Sequence, residues 1–139
     1  MSLVKRSIDA ATARKAIEAA VAKSVAMGKH MCIAITDESG ALKAFERMDH
    51  APLLSSDIAI NKAYTAVSFG MPTHVWYEFI KDDPPLLHGI THTPRLVIFA
   101  GGFPITEDGH VIGAIGVSGG HYSEDADVAK AALEAIGAG

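Results

Sequence analysis

Seven histidines punctuate this 139-residue chain, and three of them, His88, His92 and His121, flank runs of apolar residues. Side chains on loops held by rigid elements are the ones that usually meet ligands. An imidazole there can serve as a general base near neutral pH or ligate haem iron. His88 and His92 have the i, i+4 spacing of a helical zinc pair, but Gly89 between them and Pro94 after them argue against a helix, so no intrinsic metal site is expected. His121-Tyr122-Ser123-Glu124 puts an imidazole, a phenol and a carboxylate ahead of a helical run, where free backbone N–H groups would also receive an oxyanion. In that arrangement His121 is the candidate acid/base and Glu124 the group that orients it. Arg47 and Asp49, in Glu46-Arg47-Met48-Asp49, and Lys62 on a helical run are candidates for holding a carboxylate, and each also reads as a surface ion pair. Neither a Ser/His/Asp order nor a nucleophile elbow occurs. Cys32 stands alone inside Met31-Cys32-Ile33-Ala34-Ile35 and reads as a small buried hydrophobe, with no intrachain disulfide or thiolate zinc cluster to form.

Seven of the thirteen glycines lie between Gly101 and Gly120. Glycine weakens a strand, so this density is expected where backbone turns tightly or is approached closely. Gly113-x-x-Gly116-x-x-Gly119 before a helix invites a phosphate-binding reading. It has neither the dinucleotide spacing nor a P-loop ending, and Glu124 and Asp125 at the helix start would repel phosphate. Two readings remain open: a helix packed closely on the sheet, or a pocket floored by bare backbone at Gly101, Gly102, Gly116 and Gly119.

These residues need elements to position them. Asp9 caps a helix predicted to run to about Met27, with Gly28 ending it. Residues 31 to 36 and 41 to 47 read as strands joined by a turn over Asp37-Glu38-Ser39-Gly40. Ser55 or Ser56 is expected to cap a helix to about Phe69, and Thr73 to cap a short one through Trp76 and Phe79 that Pro84-Pro85 terminates. Leu86 to Pro94 reads as irregular. Arg95 to Ala100, Phe103 to Thr106 and Val111 to Ser118 read as three more strands, and Ser123 as the cap of a last helix to Ile136. Strands grouped in hairpins with helices between them predict an antiparallel sheet with helices packed on it.

The length is that of one domain, 1–139, with no linker or repeat. Twelve basic against sixteen acidic residues give a net charge of -4. Without a basic stretch to neutralise phosphates, nucleic acid is not an expected partner. No apolar run is long enough to cross a bilayer and no signal-peptide core is evident, so a cytoplasmic protein is expected. The 49% hydrophobic content is consistent with an oligomer interface.

Ala44-Phe45-Glu46-Arg47-Met48-Asp49 with Ala51-Pro52, Asp57-Ile58-Ala59-Ile60 with Lys62-Ala63 and Thr65-Ala66, Gly101-Gly102-Phe103-Pro104-Ile105 and the run from Gly113 to Gly119 together give the chain a resemblance. It resembles the haem-degrading HbpS-like family, which includes GlcG proteins and the C-terminal domain of PduO-type proteins. The resemblance implies a profilin-like α/β (α+β) fold, a five-stranded antiparallel sheet with helices on its faces, and homo-oligomers that are dimers or larger symmetric assemblies. Some members bind haem and degradation of haem is attributed to the family, while others occur beside catabolic enzymes. This chain departs from the commoner pattern in His74-Val75-Trp76, in the stretch Pro84 to Pro94 and in Gly120-His121-Tyr122. A haem or related tetrapyrrole site would take apolar contact from Trp76, Phe103, Met48 and Tyr122, a propionate partner from Arg47 or Lys62, and an iron ligand from His121 or His92. The alternative is a cofactor-independent isomerase or lyase acting on a small carboxylate, with His121 as acid/base and Arg47 plus glycine N–H groups holding the substrate. An assembly subunit without a ligand is the third reading.

Overall fold

Four strands form one antiparallel sheet in the order β2-β1-β4-β3. A computed structural model describes residues 1–138 of the chain. The strands are β1 (Cys32–Asp37), β2 (Leu42–Arg47), β3 (Gly102–Glu107) and β4 (His110–Ser118), and the helices are α1 (Ala10–Ala26), α2 (Ser55–Phe69), α3 (Val75–Ile80), α4 (Pro84–Gly89) and α5 (Tyr122–Ala135). The two hairpins, β1–β2 and β3–β4, join through the central pair β1–β4 in the register Cys32↔Ser118, Ala34↔Gly116.

Alternation along the strands gives the sheet two unlike faces. Ile33, Ile35, Phe103, Ile105, Ile115 and Val117 form the large-residue face, which α1 and α5 cover through a stripe of alanines with Ile17, Val128 and Leu133. Cys32, Ala34, Ala114, Gly102 and Gly116 form the other face, and α2 lies on it through Ala59, Ala63 and Ala66. Small residues on both sides bring backbone against backbone. A Cβ on Gly116 would collide with the Ala59 carbonyl and sit 2.6 Å from the Ala63 nitrogen, and one on Gly102 would meet the Lys62 carbonyl at 2.6 Å. The glycine-rich segment is therefore the seat of α2, the first of the two readings left open by the sequence. Cys32 is buried there, with its sulfur 3.6 Å from the Ser56 hydroxyl.

Several expectations are corrected. The N-caps of α2 and α3 are Leu54 and His74, neither with a side-chain cap bond, in place of Ser55 or Ser56 and Thr73. Arg95–Ala100 is not a fifth strand. The Thr65 hydroxyl donates to the Arg95 carbonyl at 2.8 Å and accepts from the Val97 N–H at 3.0 Å, while the Thr73 hydroxyl donates to the Phe99 carbonyl at 2.6 Å and accepts from the Gly102 N–H at 3.0 Å. Two threonine side chains thus supply what a neighbouring strand would, which answers the requirement that buried backbone groups be paired. Pro84-Pro85 begins a helix instead of only ending one: Asp83 is the N-cap of α4 and a proline lies in its first turn, where a missing N–H costs nothing, so 86–94, expected irregular, is α4 followed by a 3-10 turn over Ile90–His92. The cap of α5 is His121 in place of Ser123: its Nδ1 accepts from the Ser123 N–H at 3.2 Å, and Glu124 Oε1 accepts from the His121 N–H at 2.9 Å. That reciprocal pair is a capping box built on an imidazole.

Candidate functional site

The end of β4, the Gly119-Gly120 turn and the first turn of α5 meet the start of α2 around an open hollow of about 390 Å³. Its walls include Ser55, Phe99, Ser118, His121 and Tyr122, with Asp125 among them. A second, more apolar hollow of about 520 Å³, bordered by His74, Tyr77 and Ile98, shares Phe99 and Tyr122 with the first. The two rings stand 6.4 Å apart between centroids and are 43% and 50% exposed, so they form the ridge of one divided cleft. Gly119 has a φ of +148°, and a Cβ there would press on the His30 carbonyl, which is why the turn carries no side chain into the opening.

Beneath the cleft, Lys62 is fully buried and its Nζ donates to Asp125 Oδ2 and to the Val117 carbonyl, both at 2.8 Å. Asp125 Oδ1 in turn accepts from the Gly120 N–H at 3.0 Å. Burial pushes the Lys62 ammonium below and the Asp125 carboxyl above their ordinary values, each opposed by the other's charge. The pair ties α2, α5, β4 and the glycine turn together. The Lys62 ammonium also lies 5.0 Å from the centroid of the Phe99 ring, as a cation over an aromatic face.

His121, Tyr122 and Gly119 of the expected residues line the cleft. Glu124 does not orient the imidazole. Its carboxylate takes the His121 backbone N–H and pairs with Lys29 at 3.2 Å, contacts that hold it below the usual carboxylate range. The imidazole is oriented instead by Ser123, whose hydroxyl lies 2.7 Å from Nδ1. Arg47 and Asp49 border a separate groove with His30 and His50, which shares no residue with the cleft. Lys62 is near but already engaged. Trp76 is buried against Phe69, with ring centroids 4.7 Å apart, and Phe103 faces a hollow beside Lys130 and Leu133 near the end of α5. His88 and His92 are exposed on α4 and the 3-10 turn and border neither hollow. Gly101, Gly102 and Gly116 are sites of close backbone approach.

Sequence reasoning missed Phe99, Asp125, Ser55 and Ser118 as cleft residues. Phe99 was hidden in an apparent strand, and Asp125 in a helix start rich in acids. Ser55 and Ser118 carried no signal beyond their positions at the ends of a helix and a strand.

Residues 8–134 match the family model described as haem degrading protein HbpS-like. The chain belongs to the HbpS-like family. Among curated relatives it is 37% identical over 130 residues to a 15.0 kDa protein of the dhaT-dhaS intergenic region of Citrobacter freundii, covering 92% of this chain and 91% of that one. Among solved structures it is similar to the Klebsiella pneumoniae protein ORFY, with a TM-score of 0.92, 32% identity and coverage of 98% and 94%. It is likewise similar to the protein of a PduOC:heme complex, with a TM-score of 0.88, 32% identity and coverage of 96% and 97%. No helix among the described residues is long and apolar enough to cross a membrane.

Proposed function

We propose that this HbpS-like chain binds haem or a related tetrapyrrole in the divided cleft, with His121 presented to the iron. The observation that carries the reading is the ridge of two half-exposed aromatic rings, Phe99 and Tyr122, with an imidazole on either side of it in His121 and His74. A flat apolar macrocycle needs such surfaces, and a small number of polar groups to fix its orientation. The family description and the heme complex of a relative 32% identical support the choice of ligand.

The His121 surroundings fit the role. With the proton on Nδ1, the ring donates to the Ser123 hydroxyl, which holds its plane and leaves the Nε2 lone pair free. The other tautomer, with Nδ1 accepting from the Ser123 N–H, turns Nε2 into a donor. Iron ligation therefore draws on the first tautomer and weakens the helix cap. A bound haem would supply redox chemistry; the chain's own part is to orient the ring, shield one face and set the imidazole tautomer. The isomerase or lyase arrangement with Arg47 beside His121 gains no support, because the two residues border different hollows. Self-association belongs to the same proposal, since Leu53, Leu54 and Phe79 are exposed apolar surface that a second copy would cover.

The test is a haemin titration followed by absorbance, with light scattering of the same samples. Saturable binding that His121→Ala weakens and His92→Ala leaves intact is the expected outcome. Binding matching that of an unrelated control protein, or equal in the wild type and His121→Ala, would reject the assignment. Loss of Soret absorbance on adding peroxide would report haem degradation.

A further inference from the structure

The stretch that carries His88 and His92 has no part in the core. From Lys81 to Arg95 no side chain is buried, and Leu86, Leu87 and Ile90 are half-covered. No hydrogen bond from residues 84–94 reaches a described residue outside 83–96, and α4 packs against α3 and the 3-10 turn that follows it. A helix of six residues does not hold itself together in water, because nucleating it costs more than so few hydrogen bonds return. Half-covered apolar side chains and no bonds to the rest of the fold mark a segment that opens at little cost. Its two ends are firm by contrast. Ile80 is fully buried on one side. On the other, the Arg95 carbonyl accepts from the Thr65 hydroxyl, the Arg95 guanidinium lies 3.5 Å from the centroid of the Tyr64 ring, and Val97 is buried.

We propose that residues 81–94 are a flap that closes over the ligand of the cleft and slows its release. The flap joins the two walls of the apolar hollow: His74, Tyr77 and Glu78 come just before it in the chain, and Ile98, Phe99 and Ala100 just after it. A segment held at Ile80 and Arg95 therefore sits at the rim of that hollow. Connections this long without a strand or a long helix are uncommon in compact domains and often serve as lids. Composition points the same way. Residues 84–94 lie at the surface yet include no Lys, Arg, Asp or Glu, and they carry Leu86, Leu87 and Ile90. Such a run suits contact with an apolar partner better than contact with water. A flat ligand on the Phe99–Tyr122 ridge has one face on the protein and the other open. Closing the flap buries that open face together with what remains exposed of its own apolar side chains, and this offsets the entropy of ordering the segment. Without a ligand the offset is missing and the flap stays loose. The inference rests on the haem reading, because the flap needs a ligand with a broad apolar face.

The experiment is hydrogen exchange of the whole chain, read by mass spectrometry on peptides spanning 81–95, with and without saturating haemin and at two protein concentrations. Haemin release is followed in parallel by absorbance, after mixing with an excess of a tighter haem-binding protein, for wild type and Leu86→Ser/Leu87→Ser. Without haemin the flap amides should exchange as fast as those of an unstructured peptide, and with haemin roughly tenfold slower or more. The double variant should release haemin roughly tenfold faster, with the melting temperature of the free protein unchanged because neither leucine belongs to the core. Flap exchange unaltered at saturating haemin, or release equal in the two proteins, overturns the flap and leaves the haem reading standing. Protection that is present without haemin and grows with protein concentration also overturns it, and assigns the segment to contact with a second copy. Failure of the wild type to bind haemin is seen separately in the titration, and removes the haem reading and the flap with it.

Discussion

The buried pair Lys62–Asp125 offers the sharpest test of how the cleft is held. Lys62→Met keeps the length of the side chain and removes its charge, leaving a carboxylate that is 3% exposed with one remaining hydrogen bond, from Gly120. It also leaves the Val117 carbonyl without its donor. Removing one partner of a buried ion pair costs about 3–5 kcal/mol, because the survivor is an uncompensated charge in a medium that cannot solvate it. For a chain of this length that is a fall in melting temperature on the order of 10–20 °C. Two features separate this from ordinary loss of packing. The neutral double variant Lys62→Met/Asp125→Asn should recover a large part of the loss, since no lone charge remains. The deficit of the single variant should also shrink as pH falls: burial holds the Asp125 carboxyl above its ordinary value, and protonation removes the stranded charge. Chemical denaturation of the three proteins across pH gives the answer. A single variant within about 1 kcal/mol of wild type, or a double variant no more stable than the single, would show that the pair is not a buried charged couple.

Gly116→Val should force α2 off its seat and cost about 1–3 kcal/mol or more in urea unfolding, and an unchanged midpoint would deny the backbone contact with Ala59. Thr65→Val deprives both the Arg95 carbonyl and the Val97 N–H of their partner. A loss of about 1–3 kcal/mol and faster hydrogen exchange at the Val97 amide are expected, whereas protection equal to wild type would mean that the segment has another partner. The Glu124 carboxyl is held below its unfolded value of 4.5, so its contribution is complete above that pH and is lost as pH falls through the lowered value. Melting temperatures should decline across that acid window in wild type, and Glu124→Gln should flatten this component.

Helices α1, α2, α3 and α5 and the two hairpins were legible because their signals are local, whereas α4 was hidden behind its two prolines. Asp9 caps α1, with its carboxylate accepting from the Thr12 N–H at 2.7 Å, and the Asp37–Gly40 turn joins β1 to β2, as their residue types require. Arg95–Ala100 misled because an apolar run carries no record of who answers its hydrogen bonds, and Thr65 and Thr73 are distant in sequence. The cleft was partly legible. His121 and Tyr122 stood out by type and by their position before a helix. Arg47, Asp49, His88 and His92 stood out equally by type but fold onto other surfaces, because chemical character alone says nothing about which segments meet. Lys62 was expected to hold the carboxylate of a ligand, and in the fold its ammonium is paired with Asp125 inside the protein.

The central register Cys32↔Ser118 has a consequence for how the cleft comes into being. The two hairpins close short loops and can form early, but the pair that joins them must bring together strands separated by most of the chain, at a large entropic cost. Ser55, Phe99, Ser118 and Tyr122 reach one another only when that joining is done and α2 has docked. A half-assembled chain has no cleft at all. A molecule that fits the cleft thus recognises the finished topology alone, and in its presence mass action draws late intermediates toward completion.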